Sequence, residues 1–231
     1  MTLLDGLDFY KSDAEWWDFT LRVEHSAVEV TKLISRYDDR PDSTALAAAH
    51  HTLIDIERWK AMCLKERMGN AERNSQRDVW DAFRGALIAG SDRDVILSIM
   101  RLKGFGSSQD EKTGQRRAKV ATAVLRFLKP ADWGVVDWRT IAMLGMLEKA
   151  EGDVDKGLAF AKREGAANLR KVCEIVDEQG ACQVNQQYRA MKGAPFPRAV
   201  DAEMALFGLS EIAWPFKVSA TVSQPSGLAD C

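Results

Sequence analysis

Three histidines, four scattered cysteines and no long apolar run mark what this 231-residue chain does without. His25, His50 and His51 have no carboxylate partners at metal-ligand spacing, so they are expected to be structural, with no metal site. Cys63, Cys173, Cys182 and Cys231 form no Cys-x-x-Cys pair. Disulfide frameworks and zinc sites both need tighter clustering, so reduced thiols in the cytoplasm are the expectation. No apolar run approaches the roughly 20 residues of a spanning helix. The opening MTLLDGLDFYKSDAEWW lacks a basic lead before an apolar core, so no signal peptide is expected there. An excess of one charge is missing too. At net −2 the chain has no bulk attraction for polyanions, and any nucleic-acid role must rest on a few local cations.

Strand signals are equally thin. Only Val218–Val222 hints at extended structure, and no Asn-Gly or Asp-Gly hairpin separates alternating runs. Helical periodicity fills the rest. Caps and apolar spacing predict a helix from about Asp13 to Tyr37, and a second from Ser43 to near Gly69. Others are predicted over Asp78–Gly90, from Ser91 to Leu102, around Lys119–Leu128 and over Trp138–Lys149. Later ones are expected near Leu158–Ala161, Ala166–Ile175, Cys182–Met191 and Pro197–Phe207. The expected fold class is all-α, with roughly ten helices and short connections. Residues 1–215 are read as one globular unit, with about 78–146 carrying the chemistry and 216–231 as a poorly ordered tail.

The chemistry-bearing stretch is Leu102 to Asp137, LKGFGSSQDEKTGQRRAKVATAVLRFLKPADWGVVD. It opens on a glycine turn, Lys103-Gly104-Phe105-Gly106, whose backbone can enter conformations closed to other residues and present bare amides to a phosphate. In the next helix Val120, Ala121, Val124, Leu125 and Leu128 share a stripe, and Lys119 falls nearly opposite its centre. That lysine faces either open water or a cleft. Spacing alone leaves both open. Asp137 precedes Trp138-Arg139-Thr140 as a good N-cap, and capping alone explains it. Its apolar lead-in, Trp133-Gly134-Val135-Val136, adds that the carboxylate stands in partly dry surroundings.

These residues resemble the helix-hairpin-helix DNA glycosylase superfamily. The family pattern is a Leu-Pro-Gly-Val-Gly hairpin, a lysine in bifunctional members, then Val-Asp at a helix start. Lys119 and Asp137 lie 18 residues apart, the interval of the endonuclease III branch. The similarity covers Asp92 to Thr140, and Pro197–Phe207 is similar to bacterial proteins described as like 8-oxoguanine glycosylases. Two departures stand out: Lys103 replaces the hairpin proline, and Ser107–Arg117 is extra chain between turn and lysine.

The resemblance implies two helical subdomains flanking a cleft, and a monomer that acts on double-stranded DNA bearing a damaged or modified base. Lys119 would attack C1′ of a swung-out nucleotide, and Asp137 would stabilise the sugar cation. Lys103, Gly104, Phe105 and Gly106 would seat a flanking phosphate, with Arg116 and Arg117 adding contacts. Trp133, Trp138, Gln186 and Tyr188 are candidates for base recognition; Gln183 and Gln187 stand beside them. No cofactor, no metal and no membrane partner are implied. Two other functions share these residues: removal of modified cytosines from phage DNA in defence, and DNA binding without catalysis.

Overall fold

The computed structural model describes residues 1–62, 68–106, 118–173 and 177–215. Eleven α-helices occur among them, and no strand. They are α1 (Leu3–Tyr10), α2 (Ala14–Tyr37), α3 (Ser43–Ala61), α4 (Gln76–Ile88), α5 (Asp92–Met100) and α6 (Lys119–Leu128). After them come α7 (Trp138–Lys149), α8 (Val154–Glu164), α9 (Ala166–Cys173), α10 (Glu178–Ala190) and α11 (Ala199–Ala213). A 3-10 turn, Ala71–Arg73, precedes α4. Arg116, Arg117 and the tail at 216–231 lie outside the described residues. Among those described, no helix is long and apolar enough to cross a membrane, and no group of three or more His, Cys, Asp or Glu could hold a metal ion.

Small polar side chains start these helices by accepting from amides that have no intrahelical partner. Asp13 accepts from Trp16 N, Asp42 from Ala45 N, and Ser91 from Asp94 N. Ser75 and Asp78 form a reciprocal box at α4. In α2, Phe19, Val23, Ala27, Val30 and Ile34 recur at three- and four-residue steps and are buried, as the periodicity requires.

Two expectations need correction. The second helix ends at Ala61, not near Gly69, because Met62 turns left-handed at φ 53° and caps it. Glu57 then draws the returning chain back onto α3 by accepting from Gly69 N, Asn70 N and Ala71 N at 2.8–3.1 Å. The other correction concerns α6, which the sequence reads as one-sided. Every residue from Ala121 to Leu128 is buried, including Thr122 and Arg126. Helix α6 is covered on several sides, with α2, α3, α4 and α5 all packing on it.

Helices α2 to α6 pack on one another, whereas α7, α8, α9 and α11 form a second neighbourhood, with α10 touching both α5 and α11. Helix α1 lies along α11, where a Cβ on Gly208 would overlap the carbonyl oxygen of Gly6. A buried charge cluster spans the groups. Arg126 of α6, fully buried against the rings of Trp59 and Phe127, faces Glu203 of α11 at 3.3 Å and Glu24 of α2 at 3.6 Å. Burial pushes the Glu203 carboxyl up to about 7, against the pull of Arg126 and Lys60.

Candidate active site at the glycine turn

Gly104 and Gly106 take φ of 84° and 109°, conformations that side chains resist, so the turn read from the sequence is present. Gly104 is needed for a second reason: a Cβ there would run into the side chain of Asn70. What fixes the turn is Asn74. Its Oδ1 accepts from Lys103 N at 2.8 Å, and its Nδ2 donates to Lys103 O at 3.2 Å. Since Glu57 clamps residues 69–71, the turn is bolted through Asn74 and Asn70 to the end of α3. Lys103 is exposed, whereas Phe105 is buried beneath it.

Between the end of α3, the turn and α6 lies a cavity of about 190 Å³. Glu57, Lys60, Asn70, Gly104, Phe105 and Val120 contribute to its walls. Lys119 begins α6, half-buried, one residue before the Val120 wall.

Asp137 is placed by a chain of buried hydrogen bonds along its lead-in. Gly134 N donates to Asn185 Oδ1 at 2.8 Å. The Tyr188 hydroxyl donates to Val135 O at 2.9 Å and lies 2.8 Å from Thr140 Oγ1. Val136 N donates to Thr122 Oγ1 at 2.9 Å, and that hydroxyl donates on to Lys119 O at 2.7 Å. One threonine therefore stitches the start of α6 to the residue before Asp137. A Cβ on Gly134 would meet Glu203 Cβ at 2.5 Å, so no other residue fits there.

Asp137 is the N-cap of α7, with Oδ1 accepting from Arg139 N at 3.2 Å and Thr140 closing a capping box. Its other oxygen, Oδ2, stands 3.6 Å from Lys60 Nζ. The amine that pairs with Asp137 is thus one that no motif nominates. Nothing in the sequence sets Lys60 apart from an ordinary solvated lysine on a helix expected to run on to Gly69. Only the folded chain brings it across to Asp137, 77 residues on.

The four base-recognition candidates do not converge. Trp133 and Tyr188 are core residues, 1% and 0% exposed, and burial raises the Tyr188 phenol well above its usual range. Trp138 is half-buried and packs on Trp214 with ring centres 5.6 Å apart. Gln186 is exposed and lines a different cavity, beside Asp92, Arg93 and Cys182. Of the two other glutamines, Gln183 and Gln187 are likewise exposed on α10.

Set against protein-family models, curated proteins and solved structures, the chain matches none.

Proposed function

We propose that this protein is a DNA glycosylase with AP-lyase activity, removing a damaged or modified base of the 8-oxoguanine kind. The observation that carries the reading is the Thr122 bridge. It ties the helix start bearing Lys119 to the residue preceding Asp137, beside a cavity walled by the glycine turn. Helix α5, the turn and α6 form the hairpin motif. The two helix neighbourhoods serve as the subdomains, the glycine turn, its cavity and Lys119 belonging to the first and Asp137 heading α7 of the second, and the chain works as a monomer on duplex DNA.

The target nucleotide swings out of the stack, because its C1′ cannot be reached inside the duplex. Lys119, as the neutral amine, forms a bond to C1′ while the bond to the base breaks and its electron pair leaves with the base. Asp137, as the carboxylate, faces the positive charge that develops on the sugar, then takes the proton that the Lys119 nitrogen sheds on bonding and relays it to the departing base. Transfer of a proton from the new secondary amine to O4′ opens the ring and leaves a Schiff base. Loss of the C2′ proton to solvent, its electron pair forming the C2′–C3′ double bond, then expels the 3′ phosphate and nicks the strand. The Lys103 and Phe105 amides are already bonded, to Asn74 Oδ1 and Leu102 O, so the amides of Gly104 and Gly106, with the Lys103 ammonium, hold a flanking phosphate.

Borohydride reduction on duplexes carrying 8-oxoguanine, uracil, alkylated purines, glucosylated cytosine or a bare abasic site tests this reading. The expected result is a covalent adduct with the native chain and none with Lys119→Gln. A native chain that binds these duplexes but never traps is a binder without catalysis.

A further inference from the structure

Resting on the glycosylase reading, we propose that Lys60 is a phosphate-binding residue of the site whose ammonium is handed from Asp137 to a phosphodiester oxygen when DNA seats. Lys60 belongs to the wall of the cavity that Gly104 and Phe105 share. It is also the cation facing Oδ2 of Asp137. One flexible side chain therefore has the turn on one hand and the carboxylate on the other.

Three features favour an exchange over a fixed pair. The 3.6 Å separation is ion-pair reach but longer than an N–H···O hydrogen bond, so the contact is loose. Both side chains keep access to solvent, 28% for Lys60 and 20% for Asp137, so each can be reached by an incoming group. And Oδ1 is already committed to Arg139 N, which leaves Oδ2 as the oxygen for any outside partner. In this structure Lys60 stands where a cationic sugar would have to face Oδ2. The ammonium must leave for Asp137 to act, and a phosphate at the adjoining turn gives it another anion. Charge is conserved in the exchange: one ion pair replaces another, and no proton moves.

A double-mutant cycle reads the exchange without knowledge of the target base. The probe is a duplex carrying a tetrahydrofuran abasic-site analogue, which binds but cannot react. Lys60→Met should weaken binding about tenfold and flatten the plot of log affinity against log salt by about 1. Lys60→Arg should restore the slope. Asp137→Asn keeps the helix cap, because asparagine caps as well as aspartate. It should bind several-fold more tightly than the native chain, since Lys60 no longer has a competing partner. In the Lys60→Met background that gain should disappear. A slope and affinity unchanged by Lys60→Met overturns the phosphate role. An Asp137→Asn gain that persists without Lys60 is plain repulsion between carboxylate and phosphate, and overturns the handover. Trapping on a true abasic-site duplex separates these failures from the larger one. If Lys60→Met abolishes the adduct while Lys119→Gln retains it, Lys60 is the nucleophile and this assignment of it is wrong. If the native chain neither binds nor traps, the glycosylase reading itself fails, and the inference with it. Unchanged thermal melting of Lys60→Met confirms that the fold is intact.

Discussion

Thr122 uses one hydroxyl twice, accepting from Val136 N and donating to Lys119 O. Thr122→Val keeps the shape but leaves a buried N–H without an acceptor, which costs ~1–3 kcal/mol. Chemical denaturation should show that loss, and the rate of adduct formation should fall with it, because the start of α6 loses its tie to Asp137. Glu203 sets a pH dependence. Its folded value of about 7 exceeds the ordinary 4.5, so between those values the folded chain keeps a proton that the unfolded chain releases. Its contribution is fully present below about 4.5 and is lost as pH rises through about 7, some ~3 kcal/mol in all. Urea unfolding at several pH values should show this decline, and Glu203→Gln should remove it. Among single residues, Asp137 was legible because capping is local, and the two turn glycines because backbone conformation is local. Lys60, Thr122, Asn74 and Glu57 were not. Each acts on a partner distant in sequence, and nothing in the neighbouring residues distinguishes them from surface lysines and helix polar groups.

At the scale of elements, helix caps make most boundaries readable, since a capping side chain and the amide that donates to it lie within three residues of each other. The end of α3 was missed because a left-handed Met62 carries no sequence mark, glycine being the usual signal. Helix α6 was misread as one-sided. Its small residues Thr122 and Ala123 give no hydrophobic signal, yet they permit close packing on the face opposite the stripe. Two element-level outcomes follow from the packing. Gly208→Ala places a methyl group on the Gly6 carbonyl, so α1 must shift away from α11. The expected loss is ~1–3 kcal/mol or more, seen as a lower melting temperature. Glu57→Gln replaces an acceptor of three amides by a group that offers one oxygen and a competing NH₂. A loss of about 2 kcal/mol is expected, with faster hydrogen exchange at residues 69–71.

For the whole molecule, the all-helical class follows from periodicity, because a 3.6-residue repeat is written along the chain itself. The cavity could not be read that way. Its walls come from α3, the loop at 70, the glycine turn and α6, and their meeting depends on tertiary packing. On the glycosylase reading, net charge −2 leaves DNA to be held by a few local cations. With Lys60, Lys103, Arg116 and Arg117 as its cations, the slope of log affinity against log salt should be about −3 to −4, and no steeper. Fluorescence anisotropy across a salt series measures it, and a slope near zero would mean that no phosphate is gripped.

Asn74 grips Lys103 from 29 positions upstream. Whatever shapes the Gly104–Gly106 bend is therefore already in place before the chain leaves Gly106. A connection of any length can follow without loosening it, so the length of chain at 107–117 is set free of the bend that precedes it.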